Sequence, residues 1–175
     1  MCGIVALVGS REASPILLEG LKRLEYRGYD SAGLATVTTD TDTQKGFITC
    51  KKAEGKLFNL VDLISVEGAP GHIGVGHTRW ATHGKPELRN AHPHLDSLGK
   101  VAVVQNGIIE NHTLLRESLQ KKGIKFCSET DTEVIPHLIS EELSRLTQDG
   151  EVPNGEMLFL AVKEVLKFLQ GSYAL

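Results

Sequence analysis

The cysteine at position 2 can do chemistry that a cysteine elsewhere in this chain cannot. A thiol ordinarily titrates near pKa 8.5, so at neutral pH it is mostly protonated and needs a base. Removal of Met1 would leave Cys2 with a free α-amine, whose ordinary pKa of roughly 7.7–8.0 lies close to neutrality. One residue would then carry the nucleophile and, through a water, its base, as N-terminal threonine nucleophiles do. The small side chain after Met1 favours that removal. The plain alternative is a cysteine that packs at the start of a strand.

Other segments offer partners for a nucleophile. In His77-Thr-Arg-Trp-Ala-Thr-His83-Gly, Arg79 presents a planar fork that matches a carboxylate bidentately, and free amino acids carry such a carboxylate. Trp80 beside it could cover a pocket, or the segment could be a structural loop with a surface arginine. Gln105-Asn106-Gly107 sets an amide side chain beside a glycine N–H at the end of an apolar run. That is the donor set of an oxyanion hole and also a common turn. Ser128-Glu-Thr-Asp131 precedes a helical pattern, so Asp131 either caps that helix or meets a substrate ammonium, and the two roles are compatible. His92-Pro-His94 raises a metal site, but two histidines without a third convergent ligand are a thin donor set. Neither metal nor cofactor is expected.

Composition bounds the alternatives. The 175 residues suit one domain, and a 41% hydrophobic share supports a sizeable core. A formal net charge of −3 argues against a nucleic-acid partner. Three cysteines, Cys2, Cys50 and Cys127, lack the pairing of a disulfide framework or a zinc site and read as reduced thiols of a cytoplasmic protein. No run approaches the ~18 apolar residues of a membrane span. The apolar start is short, has no basic leader, and reads as a strand rather than a secretory signal.

The elements that must position these residues follow from periodicity. Cys2 to Val8 is continuously apolar, as in a strand covered on both faces. Ser14-Pro15 reads as a cap and first-turn proline, with Leu17, Leu21 and Leu24 on the inner face of a helix. Further strands are expected over 32–38, 47–51, 73–77 and 100–105, with a hairpin-like loop at 40–45. Leu57, Leu60, Val61 and Ile64 mark a second helix. Leu115 and Leu119 mark a third, with Asn111 as its cap. Val134, Ile135, Leu138, Ile139, Leu143 and Leu146 mark a fourth, which must start just before Pro136. After a polar linker at 148–155, Leu158, Ala161, Val162, Val165 and Phe168 mark a fifth, stopped by Gly171. The segment 78–97, rich in His, Gly, Pro and Asn, reads as a long functional loop. Ser172 to Leu175 begins a strand. This order predicts an α+β fold of antiparallel sheets with helices outside.

Met1-Cys-Gly-Ile resembles the start of class II glutamine amidotransferases, which are N-terminal-nucleophile enzymes. Tyr26-Arg-Gly-Tyr-Asp-Ser-Ala-Gly33, His77-Thr-Arg-Trp-Ala-Thr-His-Gly84, Asn106-Gly-Ile-Ile-Glu-Asn111 and Ser128-Glu-Thr-Asp-Thr-Glu133 narrow the likeness to glutaminase domains that serve amination of fructose 6-phosphate. The matches run in order over nearly the whole chain. The resemblance implies a four-layer α/β/β/α sandwich of the N-terminal-nucleophile hydrolase type. Residues 1–175 would be one glutaminase domain, incomplete at its C-terminus and without the sugar-phosphate isomerase domain of full members.

The resemblance also implies roles. L-Glutamine would be hydrolysed to glutamate and ammonia through a Cys2 thioester. Asn106 and Gly107 would hold the oxyanion, Arg79 the substrate α-carboxylate and Asp131 its α-amine. Thr82 and His83 would shape the pocket and Trp80 would shield it. Arg27 would sit near the nucleophile and help order it, and Gly28 would let the backbone come close. In the full-length enzyme the ammonia would convert fructose 6-phosphate to glucosamine 6-phosphate, with a homodimer left open. No membrane and no nucleic acid enter this picture. The rivals are the glutaminase of another class II enzyme, a non-catalytic amino-acid-binding module that needs no terminal Cys2, and a metal-dependent hydrolase built on His92 and His94.

Overall fold

The computed structural model describes residues 2–40, 45–81, 84–147 and 152–175. Strands β1 (Gly3–Val8), β2 (Ser31–Thr39), β3 (Gly46–Glu54) and β4 (Ile73–Arg79) pair antiparallel in the order β1-β4-β2-β3. Side chains alternate between the faces of a sheet. One face is small where helices press on it: a Cβ on Gly74 or Gly76 would meet Leu17 or Leu21, the fully buried residues of α1 (Ala13–Arg23). α2 (Leu57–Glu67) shares that face, where Leu57 and Leu60 join Leu21 and Ala32 in one cluster.

The opposite face points into the molecule. Gly3 pairs with Thr78 and Ile4 with His77, so Cys2, one residue before Gly3, comes beside Arg79 on the inner side. A second layer lies there, made of two strand pairs, β5 (His94–Leu95) with β6 (Ala102–Val103) and β7 (Asn106–Ile109) with β8 (Gly171–Ala174). Helices α3 (His112–Lys121), α4 (Val134–Leu146) and α5 (Gly155–Val165) cover it. Val103, Ile109, Leu119, Ile135, Ala161 and Val165 form its core. The order of layers is therefore helix, sheet, sheet, helix, with the second sheet split into two pairs among the described residues.

Several local expectations are corrected. β1 is an edge strand with a half-buried pattern, and Val8 is exposed, so it is not covered on both faces. α1 starts at Ala13, with Glu12 in the cap position, and the Glu12 carboxylate accepts the Gly71 N–H at 3.2 Å instead of capping the helix. Ser14 and Pro15 fall inside its first turn, where a proline costs no helical hydrogen bond. Thr78 and Arg79 end β4 rather than opening a loop. The apolar run at 100–105 yields only β6, and Asn106-Gly107 opens β7 rather than closing a strand. Asn111 occupies the cap position of α3, yet its amide donates to the Phe168 carbonyl at 2.7 Å and accepts from the Gln170 N–H at 3.0 Å. It ties the start of α3 to the approach to β8. Phe168 and Gly171 lie beyond α5, and Gly171 opens β8. Most of the loop expected at 40–45 and part of the linker at 148–155 lie outside the described residues. Among the described residues no helix is long and apolar enough to cross a membrane.

Candidate active site

The inner face of the first sheet and the opening of β7 enclose a cavity of about 220 Å³. Cys2, His77, Arg79 and Trp80 line it from one side; Gln105, Gly107, Thr130 and Asp131 line it from the other. The Cys2 sulfur accepts the main-chain N–H of Trp80 at 3.2 Å, which fixes the thiol at the end of β4.

Arg79 is 4% exposed, an unusual position for an arginine. Its guanidinium donates to the carbonyls of Gly84 at 3.1 Å and Lys85 at 3.3 Å, and it lies 3.8 Å from Asp30 Oδ1. Asp30 Oδ2 in turn accepts the Ala81 N–H at 2.5 Å. The aspartate of the Tyr-Asp-Ser-Ala block therefore holds both the arginine and the chain leaving β4. Tyr29, one residue earlier, accepts the Leu57 N–H at 2.6 Å and donates to Glu25, anchoring the start of α2. Burial, with the Glu25 carboxylate alongside, pushes its hydroxyl up to about 12.

Across the cavity Asp131 is 4% exposed, and its Oδ2 accepts the Ile109 N–H at 2.7 Å. It does not cap α4, whose cap position belongs to Glu133. The Glu133 carboxylate reaches back to the N–H groups of Cys127 at 2.7 Å and Ser128 at 2.6 Å. Arg116 donates to the carbonyls of Ser128 at 3.0 Å and Thr130 at 2.8 Å. The turn that carries Asp131 is thus braced by an anion on one side and a cation on the other.

Between these walls lies a buried polar network whose connections no local sequence pattern showed. His77 stacks on His92 with centroids 4.2 Å apart, and His92 meets His94 edge-on at 4.7 Å. Gln105 donates its N–H to His92 Nδ1 at 3.2 Å, so His92 carries its proton on Nε2, toward Thr132 Oγ1 at 3.3 Å. The Thr132 hydroxyl then donates to Gln105 Oε1 at 2.8 Å. His94 Nε2 meets Thr130 Oγ1 at 3.0 Å. Burial pushes all three imidazoles down, His77 to about 4, His94 to about 3, and His92 well below its ordinary value. The lone pair of His92 that a metal would take is already engaged by Gln105. Among the described residues no group of three or more His, Cys, Asp or Glu could hold a metal ion.

Gly33 explains how the two layers meet. It pairs with His77, and a Cβ there would stand 2.2 Å from the His92 carbonyl, so only a glycine lets that backbone close on the sheet. Gly107 has φ 118°, and a Cβ on it would stand 2.1 Å from the Ser172 carbonyl of β8.

The structure thus brings Cys2, Arg79, Trp80, Gly107 and Asp131 together around one cavity. Asn106 stands beside it, its Oδ1 2.8 Å from His77 Nε2. Arg27 ends a short 3-10 turn and does not line the cavity. Gly28, at φ 75°, lies under Trp80, whose ring a Cβ would approach to 3.1 Å. Thr82 and His83 lie outside the described residues. Trp80 is half exposed, at the mouth. Sequence reasoning gave Asp30, Gln105 and Thr132 no role of their own and read His92 with His94 only as a thin metal pair; His77, Asp30, Gln105 and Thr132 lay inside blocks it had singled out, with nothing local to mark their partners.

The chain is similar in sequence and in fold to known proteins. Residues 65–149 match the family described as the glutamine amidotransferase domain. The whole chain is 53% identical over 175 residues to glutamine–fructose-6-phosphate aminotransferase (isomerizing) of Thermosynechococcus vestitus, covering 26% of that protein. It is 52% identical over 175 residues to the protein of that name from Pyrococcus horikoshii, covering 27%. The chain therefore spans about a quarter of the length of the curated relatives it matches. Among solved structures, the allosteric regulatory enzyme of purine biosynthesis superposes with a TM-score of 0.73 at 29% identity, over 98% of this chain and 34% of that one. Glutamine phosphoribosylpyrophosphate amidotransferase from B. subtilis gives a TM-score of 0.72 at 28% identity, over the same shares.

Proposed function

We propose that this chain, which carries a glutamine amidotransferase domain, hydrolyses the side-chain amide of L-glutamine to glutamate and ammonia with Cys2 as nucleophile. One observation carries the reading: the Cys2 thiol, the Arg79 guanidinium and the Asp131 carboxylate converge on a single cavity of about 220 Å³. An α-amino acid offers the complement of that set, a carboxylate for Arg79, an ammonium for Asp131 and an electrophilic amide for sulfur.

The steps follow from the chemistry of the groups. Once Met1 is removed, the α-amine of Cys2 takes the thiol proton, through a water, as sulfur attacks the amide carbon. The tetrahedral oxyanion is met by the Asn106 side-chain N–H and the Gly107 main-chain N–H. The intermediate collapses as the same proton passes to the leaving nitrogen, releasing ammonia and leaving a thioester. Water adds to the thioester with the amine as base, and glutamate leaves as the thiol is restored. Splitting a difficult amide hydrolysis into two easier steps is the advantage of the covalent route. Thr82 and His83 would complete the pocket wall, Trp80 would cover its mouth, and Arg27 with Gly28 would order the approach to sulfur.

In the full-length enzyme we place a sugar-phosphate isomerase domain beside this one, with ammonia passing to fructose 6-phosphate to make glucosamine 6-phosphate. Three unpaired cysteines fit a reducing cytoplasm as the compartment.

The test is glutamate release from glutamine by the purified chain, with intact mass to establish the loss of Met1, compared with Cys2→Ala. Release by the chain and its loss in the variant support the reading. Undiminished release by Cys2→Ala, or hydrolysis by a chain that keeps Met1, overturns the mechanism. Glutamine binding without hydrolysis, from a chain that has lost Met1, would favour a non-catalytic amino-acid-binding module.

A further inference from the structure

We infer that His77 is a positioning residue for the reaction: its Nε2–H fixes which way the Asn106 carboxamide faces, so that the amide presents a donor rather than an acceptor to the oxyanion. The inference rests on the glutaminase reading and adds to it the device that sets the polarity of the hole.

The argument begins with an acceptor that cannot change roles. The main-chain carbonyl of Gln105 lies 3.1 Å from His77 Nε2, and a carbonyl oxygen only accepts. Nε2 must therefore carry the proton. A protonated ring nitrogen has no lone pair to offer, so the Asn106 atom 2.8 Å from it must also be an acceptor, its Oδ1. The carboxamide has one oxygen and one nitrogen. With Oδ1 committed to His77, Nδ2 is the group of that amide left to serve the oxyanion, and the next residue, Gly107, lines the cavity.

The ring itself is held against turning over. It is fully buried, stacks on His92, and occupies the face of β4 opposite the helices, one step before Arg79 on the same side. Its second nitrogen, Nδ1, is buried without a hydrogen-bond partner among the described residues, so rotating the ring would exchange a made bond for none. Burial holds His77 down at about 4, so near neutrality the ring is an uncharged Nε2–H imidazole. An uncharged donor orients the amide without adding a cation beside the Cys2 amine that must act as base.

Without that N–H the amide gains nothing from its present orientation. The flipped form would aim Oδ1 at the developing oxyanion, where two acceptors repel. The loss belongs to the chemical step and not to glutamine binding, because Arg79 and Asp131 are untouched.

The test has two arms. In the wild-type chain, long-range proton–nitrogen correlation spectra report the tautomer of His77 directly. The Nε2–H form is expected, and an Nδ1–H form would overturn the inference whether or not the chain hydrolyses glutamine. In the kinetic arm, His77→Phe, His77→Gln, Asn106→Ala and the His77→Phe/Asn106→Ala double variant are compared for glutamate release. Losing one oxyanion donor costs about 10²–10³-fold in kcat by precedent, and His77→Phe should lose about 10–100-fold with KM little changed. On the Asn106→Ala background the same change should cost less than about threefold, since its only route of action is already gone. His77→Gln, which keeps an N–H donor, should recover part of the rate. Independent, multiplying losses in the double variant would make His77 merely structural and sink the inference. If the wild-type chain releases no glutamate at all, it is the glutaminase reading that fails, and the tautomer still decides the orientation of Asn106.

Discussion

Cys2 and Trp80, 78 positions apart in the chain, are joined through the Trp80 backbone: its N–H donates to the Cys2 sulfur at 3.2 Å, and the thiol donates to its carbonyl at 3.6 Å. Because Trp80 follows Arg79 at the end of β4, one strand end holds both the nucleophile and the cation assigned to the substrate carboxylate. The thiol is therefore presented at the cavity of about 220 Å³, which Cys50 and Cys127 do not line.

A selective labelling pattern follows. Cys127 is exposed, and burial pushes the Cys50 thiol up, away from reactivity. An electrophilic glutamine analogue should modify Cys2 ahead of Cys127, and free glutamine should protect it. A small neutral alkylating agent should instead reach Cys127 readily. Peptide mass spectrometry with and without glutamine reads both. Equal modification of Cys2 and Cys127 by the analogue would mean that no amino-acid site surrounds Cys2.

Asp131 does two jobs that substitution can separate. Its Oδ2 accepts the Ile109 N–H, and its charge faces the cavity. Asp131→Asn keeps an acceptor for Ile109 but loses the charge, so KM for glutamine should rise about 10–100-fold, the worth of a charge-assisted bond, at nearly unchanged stability. Asp131→Ala also strands a buried N–H and should lose about 1–3 kcal/mol of folding stability besides. Urea unfolding beside steady-state kinetics distinguishes them. A KM unmoved in Asp131→Asn would remove Asp131 from substrate binding.

What the sequence disclosed and what it withheld divide along physical lines. Cys2, Arg79 and Asp131 were legible because each residue type carries its chemistry in its side chain, whatever its surroundings. The fourth helix was legible because its apolar spacing and first-turn proline are local signals. Asp30 was not, since its value lies in bonds to Ala81 and Arg79, about 50 residues away, which no local pattern encodes. Asn111 was misread for the same reason: a good cap residue found stronger partners at Phe168 and Gln170. The apolar run at 100–105 looked like one strand, but Gln105 turns its main chain to His92 and His77, and the pairing passes to β7.

The contact at Gly33 predicts a steric limit. Gly33→Ala would set a methyl group 2.2 Å from the backbone oxygen of His92, which cannot swing away as a side-chain tip would. The two layers must part or the variant must not form, a cost of about 3 kcal/mol or more. The urea midpoint should fall at constant slope, with kcat reduced as His92 and Gln105 move. An unchanged midpoint would show that the layers do not close as tightly at this point.

The buried imidazoles predict an acid limit to stability that begins earlier than carboxylates would set it. At pH 7.5 His77, His92 and His94 are largely neutral in both states and contribute no pH dependence. Below about 6.5 the unfolded chain takes up protons at these positions. The folded chain refuses them until about pH 4 at His77 and about 3 at His94, and lower than its ordinary value at His92. The unfolded state then binds more protons, so stability falls as pH falls, with a limiting slope of about 1.4 kcal/mol per pH unit for each histidine. Glu133 acts in a lower window. Burial alone would raise its carboxyl, but the His137 ring alongside and the N–H groups of Cys127 and Ser128 outweigh that and hold it at about 2. Its contribution is complete above about 4.5 and lost only from there downward. Urea unfolding in steps from pH 7.5 to 4.5 should therefore show the decline starting near 6.5. His94→Gln, which can still meet Thr130 without titrating, should shallow the slope by about one proton. A flat profile down to pH 5 would mean that the folded chain accepts those protons, and the stacked neutral arrangement of His77 on His92 would have to be abandoned.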